Sequence, residues 1–319
     1  MNIFATVLIL LAASNFGDHP VPKTDSSELI FQELEPLGFE ILEVEKKEGV
    51  HQAFVSYLSD GLKVRAYVFC SDEAKPRPLI VFNHGGISGV SNDMKWRSRH
   101  MVEDGYVVVT PSYRGEDGGE GDIEVAKGEV NDVLTVTKLL AAWQRVDEDR
   151  IGISGSSHGA LISMLAVARE PELYRAVAAA CGVMDVNSWY SYLVEEGFDV
   201  SDSLSVAIYG SGPESKPEAF RIRRAIDVAD QIKIPVLIQQ GQVDRIVPPF
   251  QARLMQEALI KSGHRQTQLL EYPLLGHAFW FWNDLRYHTQ QENDQGQFSW
   301  IEYMEFMNRH VRDGQSKPN

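Results

Sequence analysis

The chain has 319 residues, 44% of them hydrophobic and 24% charged, an ordinary globular composition with room for one large α/β domain or two small ones. A net charge of −15 leaves no Lys/Arg stripe to neutralise phosphates, which argues against nucleic acid as a partner. Cys70 and Cys181 each end an apolar strand-like run and read as buried free thiols; no Cys/His cluster has metal-ligand spacing, so no metal is expected.

The N-terminus carries the apolar run Ile3 to Ala13, followed by small residues. The run is too short to span a bilayer and suits the core of a signal peptide over residues 1–14. No Lys or Arg precedes it, and the competing reading is a short buried or disordered segment. A cleaved signal implies a secreted or periplasmic protein; without one the chain is cytoplasmic. No second apolar run is long enough for a membrane span. Residues 15–49 read as a linker with one short helix from Ser27. The strands Gln52–Leu58 and Leu62–Cys70 flank Asp60-Gly61, a hairpin signal. Arg77–Phe82 is a buried strand ending in Asn83-His84-Gly85-Gly86. A helix over Asn92–Glu103 and a strand over Tyr106–Thr110 follow, then a Gly- and acid-rich loop from Glu116 to Asp122. Val133, Val136, Leu140 and Trp143 recur at helical spacing, so a helix covers Glu129 to about Gln144.

Arg150 to Ala160 is a short apolar strand, a tight turn and a helix start. Within it Gly155-Ser156-Ser157-His158-Gly159 matches G-x-S-x-G, the turn that exposes a nucleophilic serine at the carboxyl end of a sheet. The competing reading is a Gly/Ser-rich loop; the strand–turn–helix context favours the nucleophile. Tyr174–Cys181 is the next strand. Asp185 to Ala229 is less regular, rich in Trp189, Tyr190, Tyr192 and Tyr209, and reads as a small insertion or lid. Ile234–Gly241 is a strand leading to Asp244, and Pro248-Pro249 opens a helix closed by Gly263. Thr267–Tyr272 is the last strand, leading to Gly276-His277. A terminal helix covers Ser299 to His310, and residues 313–319 form a polar tail. A hairpin followed by strands alternating with helices predicts an α/β fold over 50–312: a mostly parallel sheet, helices on both faces and the strand-end loops gathered on one edge.

A serine hydroxyl needs a base to take its proton and a carboxylate to orient that base. Asp244 and His277 follow Ser157 in the order Ser, Asp, His, each in a loop after a strand, on the edge that carries Ser157. His264, His288 and His310 lie in less suitable contexts, and His158 is the serine's neighbour rather than its base. An oxyanion hole needs two backbone amides. The N–H of His158 and that of Gly86 are the candidates. Tyr113 and Trp280 are candidate substrate contacts, the latter within Phe279-Trp280-Phe281-Trp282; core packing is the competing reading for such rings. Asp132, Asp147 and Asp284 read as structural or solvent-facing charges.

These stretches resemble the catalytic domain of the prolyl oligopeptidase family within the α/β-hydrolase superfamily. Asn83-His-Gly-Gly86, Ser112-Tyr-Arg-Gly115, Val146 to Gly159, Ile234 to Pro248 and Gly276-His-Ala-Phe279 run in the family's order. The resemblance implies a Ser157–Asp244–His277 triad. Family peptidases usually carry an N-terminal β-propeller, and the residues before Arg77 are too few to hold one. His84 stands where prolyl oligopeptidase places a tyrosine that assists the oxyanion hole. That departure is shared with acylaminoacyl peptidases, plain esterases and dienelactone-type hydrolases. The expectation is a cofactor-free serine hydrolase acting on short peptides, with carboxylester hydrolysis as the alternative and a non-catalytic binding protein of the same fold as the second.

Overall fold

The computed structural model describes residues 26–281 and 288–314. The proposed leader and the last tail residues lie outside them, as do Trp282 and Asp284. One sheet is built from β1 (Glu40–Lys47), β2 (Val50–Ser59), β3 (Leu62–Cys70), β4 (Arg77–Asn83), β5 (Val107–Pro111), β6 (Val146–Ser156), β7 (Ala176–Ala180), β8 (Val236–Gly241) and β9 (Thr267–Tyr272). Their spatial order is β1-β2-β3-β5-β4-β6-β7-β8-β9. The first three strands form an antiparallel meander that joins β5, and all later pairings are parallel. This is the α/β-hydrolase fold.

The helices are α1 (Ser26–Gln32), α2 (Asn92–Glu103), α3 (Gly128–Ala141), α4 (His158–Arg169), α5 (Val186–Glu195), α6 (Ser203–Tyr209), α7 (Pro217–Arg221), α8 (Phe250–Lys261) and α9 (Gln290–Met307). β5 and β7 are buried along their whole length, β4 from Pro78 and β6 from Ile151 onward, so both faces are apolar there and each needs its own helical layer. Successive side chains alternate accordingly. Val81, Val109 and Ile153 face a core shared with Leu140 of α3, Ile162 of α4 and Leu259 of α8. Ile80, Phe82 and Val108 face the opposite core, with Met101 of α2 and Tyr303 and Met307 of α9.

Two elements depart most from the sequence reading. Residues 40–47, taken as part of a linker, form the edge strand β1. With one neighbour and little burial, this strand carries the charged sequence that edges use to avoid further pairing, so its period-2 signal is faint. The terminal helix starts at Gln290 rather than Ser299, behind a capping box in which Thr289 and Glu292 satisfy each other's backbone amides. Residues 185–229 run between β7 and β8. Their helices α5 to α7 gather Tyr190, Ile208, Tyr209 and Phe220 into a small apolar cluster with Val247. Among the described residues no helix is long and apolar enough to cross a membrane.

Candidate active site

β6 ends at Ser156, and the chain reverses into α4 through Ser157, whose φ of 55° and ψ of −119° are strained for a residue with a side chain. Two glycines make the turn possible. A Cβ on Gly155 would sit 2.4 Å from the Gly159 backbone, and one on Gly159 would sit 2.3 Å from the Asn83 carbonyl oxygen. Strand β7 holds the turn from the other side, where Ser157 N donates to Ala180 O at 2.9 Å. The serine side chain is thereby pushed out of the sheet edge.

His277, in the loop after β9, meets it. Ser157 Oγ and His277 Nε2 are 2.9 Å apart, and His277 Nδ1 lies 2.8 Å from Asp244 Oδ2. Asp244 follows β8 and its side chain is fully buried. Its other oxygen, Oδ1, accepts from the Ile246 and Val247 amides, both at 2.9 Å, which fixes the carboxylate. Gln240 ties the same loop through a bond to the Val247 carbonyl. The segment between β7 and β8 also braces it: Trp189 Nε1 donates to Ile246 O and Tyr192 Oη to Arg245 O, each at 2.9 Å. Burial acts to lower the His277 pKa, but the neighbouring Cys181 sulfur and the Asp244 carboxylate outweigh it and hold the imidazole above its ordinary value. Such an arrangement can deprotonate a hydroxyl and stabilise the resulting imidazolium.

The backbone after β4 passes close to the elbow. A Cβ on Gly85 would lie 2.9 Å from Ser156 O and 3.1 Å from Ser157 Cβ, and Gly86 has φ of 71°. His158 reaches this loop with its side chain, Nδ1 donating to Gly86 O at 3.0 Å. Burial pushes the His158 imidazole down to a pKa of about 4, so it stays neutral while holding that bond. The loop is anchored further along by two acids. Glu116 Oε2 accepts from Gly89 N at 2.7 Å and lies 3.0 Å from His84 Nε2, while Asp117 accepts from Val90 N at 3.0 Å. Gly86, Ser157 and His277 line a cavity of about 380 Å³. Met94, Ile246 and Phe281 supply its apolar wall.

A family model described as the prolyl oligopeptidase family matches residues 92–306. The chain belongs to the prolyl oligopeptidase family. Membership places it among the serine hydrolases. It is 29% identical over 225 residues to an uncharacterized peptidase, YtmA, of Bacillus subtilis, covering 70% of this chain and 85% of that one. It is 28% identical over 227 residues to the acylamino-acid-releasing enzyme of Sus scrofa, covering 65% of this chain but only 29% of that enzyme. Among solved structures, the acylaminoacyl peptidase of Pyrococcus horikoshii superposes with a TM-score of 0.67 at 19% identity, covering 93% of this chain and 45% of that one. Acetyl xylan esterase 1 of Thermoanaerobacterium superposes at 0.62 with 18% identity, covering 91% of this chain and 95% of that one. At those identities the two structures share the fold, and the chain spans under half of the peptidase.

Two residues expected to touch substrate, Tyr113 and Trp280, are not among those that line this cavity. Tyr113 is fully buried; its ring stacks on His84 with centroids 4.2 Å apart, and its hydroxyl donates to His84 O at 3.1 Å. It supports the His84–Gly86 loop from behind. Trp280 is also fully buried, donating from Nε1 to Gln239 Oε1 at 2.7 Å and packing beside Tyr303. A short 3-10 turn over Phe279–Phe281 sends Trp280 into the core and leaves Phe281 at the cavity. Asp132 is structural as expected, held by the Arg114 guanidinium.

Glu116, Asp117 and Gln240 were missed. Their roles depend on loops meeting across the sheet edge, and no local pattern marks them. Cys181 was read as a buried thiol, and it is buried. The sequence did not show its neighbours: its sulfur, one nitrogen of His277 and one oxygen of Asp244 all lie within 4.8 Å of one another.

Proposed function

We propose that this protein hydrolyses acyl bonds of short peptides through an acyl-enzyme on Ser157. The observation that carries the proposal is the continuous hydrogen-bonded chain from Asp244 through His277 to Ser157, ending at a strained turn that faces a cavity. In this reading His277 Nε2 takes the Ser157 proton as Oγ attacks the carbonyl carbon. Asp244 holds the imidazole tautomer and balances the charge that forms. The Gly86 and His158 amides stabilise the oxyanion. His277 then delivers the proton to the leaving amine, and water cleaves the ester by the same steps in reverse. No cofactor enters. The peptidase name of the Bacillus subtilis relative and the acylamino-acid-releasing name of the Sus scrofa one support peptide over ester.

Ester hydrolysis is the second reading. The cavity favours it, since an apolar wall around about 380 Å³ fits a small acyl group and, among the described residues, its lining has no Asp, Glu, Lys or Arg to anchor a charged terminus. Hydrolysis of a short-chain p-nitrophenyl ester, compared with blocked and free aminoacyl p-nitroanilides and with Ser157→Ala alongside, separates the two. Anilide cleavage lost in the variant supports the peptidase. Ester cleavage without anilide cleavage replaces it with an esterase. Activity that survives loss of the hydroxyl overturns the mechanism.

A further inference from the structure

β7 ends in an unusual way. Cys181, the residue just past its last position, has φ of 44°, a left-handed backbone that a side chain rarely adopts. The backbone is held there, because Cys181 N donates to Gln239 O at 2.9 Å while Ala180 O accepts from Ser157 N. Strain of this kind persists only where the surroundings over-determine it. Here it places a thiol beside His277 and Asp244. A thiolate, an imidazole and a carboxylate are each ordinary zinc ligands, and three protein ligands with one open position is the usual form of a reactive zinc site. A tetrahedral zinc with ligand bonds of about 2.0–2.3 Å needs donor atoms roughly 3.3–3.8 Å apart. Atoms already within 4.8 Å need to close by only about 1 Å.

We propose that Cys181, His277 and Asp244 form an inhibitory binding site for a thiophilic divalent cation, zinc above all. The thiol loses its proton on binding, so its negative charge and that of Asp244 match the two positive charges of the ion. Hard cations such as magnesium find only one suitable oxygen ligand here and are excluded. His277 lines the cavity and is partly exposed, which gives the ion an entry path to two ligands that are otherwise buried. Because His277 cannot hold a metal and serve as the proton carrier for Ser157, the bound and the active states exclude each other. That consequence rests on the triad reading; the binding itself does not. Among the described residues this is the one Cys/His/Asp/Glu group close enough to act so. Cys70, the other thiol, is held up at a pKa of about 12 by burial and serves as the internal control.

The test uses the full chain with Co²⁺ and Zn²⁺ as probes. Co²⁺ should give a thiolate charge-transfer band that Zn²⁺ abolishes by displacement. The band should persist in Cys70→Ser and vanish in Cys181→Ser and in Cys181→Ala, whose folding is checked by circular dichroism. Zn²⁺ should block labelling of Ser157 by a fluorophosphonate, with full recovery on adding a chelator. Losing a direct ligand should weaken that block at least as much as losing an outer-shell partner, by about 10–100-fold. No charge-transfer band in the native protein, or equal Zn²⁺ sensitivity in the folded Cys181 variants, overturns the site. A band with no fluorophosphonate labelling under any condition leaves the site standing and sinks the triad reading instead.

Discussion

Among the described residues two Ser–His–Asp chains can be compared, and the one at the elbow lines a cavity. In the second, Ser27 Oγ lies 2.8 Å from His51 Nδ1, and His51 Nε2 lies 2.6 Å from Asp72 Oδ1. Those distances match the 2.9 and 2.8 Å of the Ser157 array. The burial runs the opposite way. At the elbow the Asp244 side chain is fully enclosed and the histidine is partly exposed, whereas around His51 the serine and histidine are fully enclosed and the Asp72 side chain is 64% exposed. An enclosed carboxylate keeps its field on the imidazole, while a wet one that also binds Lys46 is screened. Ser27 lies within the helix α1, whereas Ser157 sits on a turn with positive φ. The two arrays therefore share their hydrogen-bond distances and differ in which member is enclosed and which is exposed.

Mutation of the two serines breaks this comparison most directly. Ser157→Ala should lower kcat on the order of 10⁶-fold, as removal of a triad serine does elsewhere, with substrate binding largely kept. Ser27→Ala should leave kcat and KM unchanged. Equal losses in both would mean that the two arrays are not functionally different. The carboxylates give the next largest effect. Asp244→Asn should cost on the order of 10⁴-fold, because the amide favours the wrong imidazole tautomer. Asp72→Asn should have no effect on turnover, and an effect would tie the His51 array to catalysis. Both are read from steady-state kinetics on the best chromogenic substrate.

Much of the first array was legible in the sequence, and the reason is steric. The elbow permits no side chain at Gly155 or Gly159, so the pattern has to appear in the residues themselves. Asp244 and His277 were legible because parallel strands bring their ends to one edge. The Ser27 array was not legible, since it joins α1, β2 and the loop after β3, elements that no chain-order rule brings together. The same limit hid Cys181 behind His277. Trp280 shows a further one: a ring three residues from His277 is near the site in sequence, yet a single short turn decides whether it lines the cavity or fills the core.

The residue after Ser157 sharpens the contrast through pH. His158 follows Ser157 and is held neutral by burial, with its pKa at about 4 against an ordinary 6.5. The folded protein therefore refuses a proton that the unfolded chain accepts. Above pH 6.5 both forms are neutral and nothing is lost. Stability falls as pH drops from about 6.5 toward 4 and levels off below, a total of about 3 kcal/mol from this one ring. Urea unfolding across that range should show the loss in the native protein and a shallower one in His158→Gln. Identical slopes would show that His158 does not carry the effect.

The smallest effect concerns what the second array does. α1 rests Ile30 and Phe31 on the core, but it is only two turns long and isolated helices of that length do not persist in water. The Ser27–His51 bond fixes this helix to β2, and Asp72 fixes His51 to the end of β3. Ser27→Ala removes one bond to a fully enclosed imidazole, which should cost about 1–3 kcal/mol. The urea midpoint should fall with the slope unchanged, and amide exchange in α1 and β1 should accelerate before that of β6 or β8, whose protection should follow the global stability. A lowered midpoint with normal turnover identifies the His51 array as a staple. Unchanged stability would mean that the packing of Phe31 alone holds the helix and that the hydrogen-bonded chain adds nothing.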